Sequence, residues 1–184
     1  MATRAKRTYP PTVSRSALLL GGSDRKFRDF LHALLTFSHQ VRDVLGIFAE
    51  VMGVSSPQYE LLINIRYLED GEGVNITRLA AALHCSGAFV TTEVGKLVAA
   101  GLVDKRRDSH DRRCVVLRLT ERCRARFEAL AALQRPVNDA LFGCLRAADL
   151  ARLVEMAPAL MDCGDRGRAL ARYLVRNPQS ANAA

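Results

Sequence analysis

The sequence lacks the constellations on which most enzymes are built. It holds no glycine-rich phosphate loop, no nucleophile set beside a base and an orienting group, and no cluster of metal ligands, and its four histidines are scattered. An enzyme is not expected, and neither is a cofactor. The five cysteines (Cys85, Cys114, Cys123, Cys144 and Cys163) are odd in number and form no Cys-x-x-Cys pair. That argues against a disulfide framework or a zinc ribbon and for reduced thiols. His110 and Cys114 can share one face as metal ligands, but two ligands make no metal site. No apolar run approaches the roughly 18 residues that cross a bilayer, and "ALLL" at 17–20 is too short for a secretory core, so no membrane partner and a cytoplasmic location are expected. Acidic residues are missing from positions 1–23, which carry four basic residues, the adjacent Pro10 and Pro11 and a "GGS" turn, and which read as a flexible basic arm. Positions 176–184 read as a flexible tail, and no internal repeat is present.

About half of the 184 residues are hydrophobic, enough for a real core, and 27 basic against 19 acidic residues leave a net charge of +8. Such an excess points to an anionic partner, nucleic acid or an acidic membrane surface. From Phe27 the apolar residues Phe30, Leu31, Leu34, Leu35, Val41, Leu45, Phe48 and Met52 recur at three- and four-residue steps, predicting a long amphipathic helix that Gly53 ends. Ser55 with Gln58 forms a Ser-x-x-Gln capping box, Pro57 sits in the first turn, and "QYELLINIRYLED" follows as a helix apolar on nearly every side, hence central.

After "DGEG", Thr77 is expected to cap a short helix over "RLAAALH", and Ser86 a second from Gly87 to Ala100, closed by Gly101 in the left-handed conformation. Two short helices around a tight turn make a helix-turn-helix. Leu102–Arg106 and Cys114–Leu119 alternate apolar and polar residues and read as two strands joined by "RDSHDR". Between Asp104 and Arg113 this ribbon holds five Lys or Arg and three Asp. Thr120 is placed to cap a helix carrying Cys123, Phe127, Leu130, Leu133, Val137, Leu141 and Leu145, and a last helix runs from about Ala147 to Val175. Pro136 and Pro158 are expected to kink these two helices.

In this order of elements, and in "RLAAALHCS", "VTTEVGKLVAAGLV" and "KRRDSHDRRCVVLRLT", the chain resembles the MarR family of bacterial winged-helix regulators over about residues 27–174. Asp111-Arg112-Arg113 followed by Leu119-Thr120 is similar to the family's Asp-x-Arg wing and Leu-Thr exit. The resemblance implies a mainly α fold with a small β wing: a winged helix-turn-helix over 54–120, and a dimerisation module over 24–53 with 121–175 whose first and last helices interlock. It also implies a small-ligand or thiol switch between the two.

At about 100° per residue, Val90, Val94, Leu97 and Val98 share one face of the helix over 87–100, while Ala88, Thr92, Gly95, Lys96 and Ala99 face away. Small residues let a helix backbone approach base edges, and Thr hydroxyls or a Lys can bond bases or phosphates. The candidate DNA contacts in the helix are therefore Ser86, Gly87, Ala88, Phe89, Thr91, Thr92 and Lys96. Phe89 can touch a thymine methyl or pack in the core, and Glu93 can accept from cytosine or form an ion pair. Where the family often has Arg or Ser, this chain has Gly87, Ala88 and Thr92, which shifts the expected readout toward van der Waals contact, Lys96 and groove shape. In the wing the candidates are Arg107, Asp111, Arg112 and Arg113; by resemblance Arg113 enters the minor groove and Asp111 braces it. The alternative is a solvated turn of exposed ion pairs.

For control, Arg66 lies on the stripe of Tyr59, Leu62, Ile63 and Tyr67 and can anchor the carboxylate of an aromatic acid, with Ser38 and Arg42 as weaker candidates; the competing role is a structural ion pair with Glu50 or another acid. His32 and His39 point away from the helix stripe. Cys85, just before the recognition helix, and Cys114, at the wing, are the candidates for oxidant sensing, against a plain role as small buried side chains. The reading is a homodimeric, sequence-specific binder of pseudo-palindromic double-stranded DNA, a repressor relieved by a small ligand. Its rivals are a thiol-sensing regulator of the same fold and a winged-helix module for protein contact without DNA.

Overall fold

The computed structural model describes residues 10–69, 73–107 and 115–179. The chain divides into two compact units, Met1–Gln134 and Arg135–Ala184. The first contains helices α1 (Arg25–Met52), α2 (Ser56–Leu68), α3 (Ile76–Ala82) and α4 (Gly87–Ala99), strands β1 (Val74–Asn75), β2 (Val103–Arg107) and β3 (Val115–Leu119), and most of α5 (Glu121–Phe142); α6 (Ala147–Arg176) belongs to the second. No helix among the described residues is long and apolar enough to cross a membrane.

The centre of the first unit is α2. Its capping box is complete: Gln58 N donates to Ser55 Oγ, and Ser55 N donates to Gln58 Oε1 at 3.1 Å. Tyr59, Leu61, Leu62 and Ile65 are fully buried, as expected of a helix apolar on nearly every side. Around it close Phe48 and Met52 of α1, Leu79 of α3, Val90, Val94 and Leu97 of α4, Leu117 of β3, and Cys123, Phe127 and Leu130 of α5. The Tyr59 ring lies 6.5 Å from that of Phe48 and 6.1 Å from that of Phe127, and its hydroxyl accepts from Gln134 Nε2 at 3.1 Å, so the one polar atom of this aromatic cluster is satisfied.

Glycine closes both helices that lead into the next element. At the end of α1, Gly53 (φ +68°) allows Gly53 N to donate to Glu50 O and Val54 N to Ala49 O; at the end of α4, Gly101 (φ +67°) allows Gly101 N to donate to Val98 O and Leu102 N to Leu97 O. Both are Schellman turns, and at the second the buried Leu97 and Leu102 supply the accompanying apolar contact. Thr120 then locks the root of the wing. Its hydroxyl donates to Gly101 O at 2.9 Å and accepts from Cys123 N at 3.1 Å, while its own N–H donates to Leu102 O. The residue that starts α5 thus also binds the turn that ends α4.

Several expectations are corrected. Asn75, not Thr77, caps α3: its Oδ1 accepts from Arg78 N at 2.8 Å. The reason is β1, which pairs with β3 (Val74 with Leu117, Asn75 with Val116) and holds Asn75 extended just where the helix begins. The sheet therefore has three antiparallel strands in the order β1-β3-β2, not two. Leu102 lies outside β2, taken up by the Schellman turn, and Arg107, expected in the loop, is a strand residue opposite Val115. Cys114, expected to begin β3, lies outside the described residues, as does the loop 108–113. Pro136 lies inside α5 and Pro158 inside α6.

Residues 10–23, expected as part of a flexible arm, carry two 3-10 turns, Ser16–Leu18 and Leu20–Gly22, and are tied to the start of α1. Asp24, almost fully buried, accepts from Thr12 N at 2.8 Å and Thr12 Oγ1 at 3.0 Å, and pairs with Arg28 at 2.7 Å. The Thr12 amide, above all, holds its carboxyl below the ordinary aspartate range, with the Thr12 hydroxyl and Arg28 acting in the same direction against burial.

Two consequences are measurable. Thr120→Ala is expected to lower the unfolding free energy by about 1–2 kcal/mol in urea titrations while Thr120→Ser retains most of it; equal stabilities of all three proteins would show that the hydroxyl carries nothing. Because the folded pKa of Asp24 is depressed, its contribution is present above the ordinary aspartate value and is lost as pH falls through the folded one. The Thr12 amide is therefore expected to be protected from hydrogen exchange at pH 6, to lose that protection as the solution is acidified below the ordinary carboxylate range, and to be unprotected at both pH values in Asp24→Ala.

Candidate nucleic-acid interface

The second helix of the helix-turn-helix has one buried and one open side. Val90, Val94 and Leu97 of α4 are buried against the core, and Val98 is half-buried. Ser86, Gly87, Ala88, Thr91, Thr92, Lys96 and Ala99 are exposed, and Phe89 presents 41% of its surface. A methyl group added at Gly87 or Gly95 would meet nothing within 4 Å, so space stands open over this face. The face exists because Ser86 breaks the chain direction: its Oγ accepts from Phe89 N at 3.2 Å, after a turn in which His84 takes φ +52°.

The hydroxyls on this face are already committed as donors. Thr91 Oγ1 donates to Gly87 O at 2.8 Å and Thr92 Oγ1 to Ala88 O at 3.1 Å, which leaves their acceptor lone pairs and methyl groups outward. The charged groups are committed too. Lys96 Nζ donates to Glu93 Oε1 at 2.7 Å, and Glu93 Oε2 accepts from Gln58 Nε2 of α2 at 3.0 Å. Of the two readings of Glu93, the ion pair is the one found. The bond from Lys96, then that from Gln58, holds the Glu93 carboxyl below the ordinary glutamate range.

Beside this helix stands the ribbon. Only Val103 of β2 is buried; Asp104, Lys105, Arg106 and Arg107 are exposed, with Arg106 3.8 Å from Asp104. β2 is an outer strand of the sheet, and charge along an outer strand also blocks pairing with a stray strand. α4 packs on β2, the strand that follows it in the chain. Asp111, Arg112 and Arg113 lie outside the described residues.

The candidate effector residues are not brought together by any contact among the described residues. Arg66 makes no ion pair with Glu50; its guanidinium lies 5.0 Å above the Phe127 ring. Ser38 Oγ donates to Leu35 O at 2.7 Å, and Arg42 is exposed on α1. A groove of about 400 Å³ in the first unit is lined by Val51, Met52, Gly53, Arg126, Ala129, Leu130 and Leu133, none of them among the candidate effector residues. Cys85 is half-buried and Cys114 lies outside the described residues. Cys123 is buried beside α2, which pushes its thiol up to about 11 and keeps it protonated near neutral pH. Among the described residues no group of three or more His, Cys, Asp or Glu is arranged to hold a metal.

The link missed from sequence is Gln58–Glu93. Its signal was half visible, since a capping-box glutamine uses only its oxygen on the cap and leaves an amide nitrogen to bond elsewhere.

A model of the MarR family matches residues 52–113, which span the helix-turn-helix, β2 and part of the ribbon loop. No curated protein matches the chain. Among solved structures it is similar to a MarR protein from Peptoclostridium difficile (19% identity, 89% of this chain and 97% of that one, TM-score 0.62). It is also similar to MepR of S. aureus in a complex with DNA (16% identity, 73% and 95%, TM-score 0.60) and to CouR of Rhodococcus jostii bound to p-coumaroyl-CoA (20% identity, 72% and 91%, TM-score 0.63). At such identities the structural likeness speaks for the fold, and the family match speaks for the helix-turn-helix that the fold carries. The chain thus carries a helix-turn-helix that matches the MarR family model over residues 52–113, within a fold similar to that of MarR-family winged helix-turn-helix regulators.

Proposed function

We propose that the protein is a homodimeric regulator that binds pseudo-palindromic double-stranded DNA, with α4 of each copy in a major groove and the ribbon along the adjacent minor groove. The open face of α4 carries this reading: a run of exposed small residues from Ser86 to Ala88, flanked by Phe89, Thr91, Thr92 and Lys96, on a helix whose other side is core. Such a face has no folding role, and its lack of bulk suits close approach to base edges. Phe89 and the Thr methyls supply apolar contact to thymine methyls, and Arg107, Arg112 and Arg113 supply cations to the phosphates and the minor groove, with Asp111 bracing the loop. The DNA in the similar MepR structure supports the assignment. A protein-contact module is disfavoured by the same face, which offers no large apolar patch to a partner.

The dimer follows from uncovered apolar surface. In the first unit α1 exposes Phe30, Leu31, Leu34 and Leu35, and in the second α6 exposes Leu150, Leu153, Leu160, Leu170 and Tyr173 with no buried residue at all. Faces of this length are covered in a working protein, and a second copy supplies the cover.

The control assigned is repression relieved by a small aromatic acid, with Arg66 as its anchor and Ser38 and Arg42 of α1 as weaker candidates. Two observations support it: the Arg66 guanidinium has an aromatic ring beneath it and no acidic partner among the described residues, and the similar CouR holds an aromatic acyl thioester.

Binding to duplexes enriched by this protein from random-sequence DNA tests the function. Arg113→Ala is expected to weaken binding and to flatten the dependence of log K on log salt by about 0.9, one phosphate's share; unchanged affinity and slope would remove the wing from the interface. For the effector, aromatic carboxylates are expected to raise the melting temperature of the wild type and not of Arg66→Ala. Identical responses would take Arg66 out of the account.

A further inference from the structure

Glu93 sits on the recognition helix with its side chain only 13% exposed, whereas the lysine it binds is 59% exposed. An acid close to a DNA-facing surface is a cost unless it has a task, since it repels phosphates. Its two oxygens are divided between two helices: Oε2 accepts from Gln58 Nε2 at 3.0 Å, and Oε1 accepts from Lys96 Nζ at 2.7 Å. Gln58 is itself fixed, because its Oε1 accepts from Ser55 N in the cap of α2. A chain of three hydrogen bonds thus runs from the α1–α2 junction, through Gln58 and Glu93, to the ammonium group on the open face of α4.

We infer that Glu93 is a specificity-determining residue that positions Lys96 and cancels its charge, so that α4 reads base edges instead of gripping phosphates. The inference rests on the DNA-binding reading above. An ammonium has three N–H donors. With one spent on Glu93, two stay available for an acceptor such as guanine O6 or N7, while the pair as a whole carries no net charge to attract the phosphate backbone. A free lysine at this position would gain affinity for every sequence alike, and discrimination would fall.

The test compares wild type, Glu93→Gln, Lys96→Gln, the double variant and Gln58→Ala on two probes: a duplex enriched by the wild type and heterogeneous genomic DNA. Glu93→Gln is expected to bind heterogeneous DNA several-fold more tightly near 0.1 M salt, with the salt dependence steepened by about 0.9, and to lose preference for the enriched duplex. Gln58→Ala, which frees one oxygen of Glu93, moves the same way by less. In the Lys96→Gln background Glu93→Gln still relieves repulsion of the phosphates but no longer costs preference for the enriched duplex. A purely structural Glu93 would instead weaken both probes together and lower the melting temperature; that result, or an unchanged salt dependence, overturns the inference while leaving DNA binding intact. If the wild type bound no duplex at any salt, the underlying reading would fail and the inference with it.

Discussion

A 30-residue helix with no buried side chain holds its place only if something outside its own chain covers it. Leu150, Leu153, Val154, Leu160, Met161, Leu170 and Tyr173 stand open along α6, and burying a Leu, Val or Phe side chain stabilises by about 1.5–3 kcal/mol. Several such residues left in water outweigh the few tenths of a kcal/mol that helix propensity offers per residue. α1 of the first unit carries the same kind of surplus at Phe30, Leu31, Leu34 and Leu35, on a stretch that precedes its buried end at Phe48, Ala49 and Met52. The proposed second copy answers both faces with one operation, and two-fold symmetry then gives the assembly two recognition helices for a two-fold DNA site.

Within the first unit α4 is held by neighbours that are themselves held. Its buried face rests on α2, which is buried along Tyr59, Leu61, Leu62 and Ile65; its end is tied through Gly101 to Thr120 and so to α5; its open side is tied through Glu93 to Gln58 at the start of α2. These ties join α4 to α2 and to the start of α5, so a change at the α1–α2 junction has a short path of hydrogen bonds to Lys96. The Arg126 guanidinium, which donates to Met52 O at 2.9 Å beside the groove at the end of α1, bears on that same junction.

The features legible in the sequence are those written within a few neighbouring residues. Ser55-x-x-Gln58, Ser86 ahead of Phe89, Gly101 after Ala100, and Thr120 ahead of Cys123 each state a cap that the structure contains, because a cap is a bond between residues three apart. Features that depend on distant partners were not legible. Asn75 displaced Thr77 as a cap because a two-residue strand, too short to show alternation, pairs with β3 some 40 residues later. Arg66 sits over Phe127, Gln58 bonds Glu93 and Asp24 binds Thr12, and nothing in the local pattern names those partners. The small, outward side of α4 is legible because periodicity decides which side of a helix is buried; the commitment of its hydroxyls and its lysine to intrachain bonds depends on rotamers that no pattern states.

The central claim, that a second copy covers the apolar faces of α1 and α6, is tested most directly by thermal unfolding over a hundredfold range of protein concentration, with mass measured by sedimentation at each end. The account requires a two-chain mass and a midpoint that climbs with concentration, because association contributes to stability by mass action. A single-chain mass with a midpoint indifferent to concentration would contradict it.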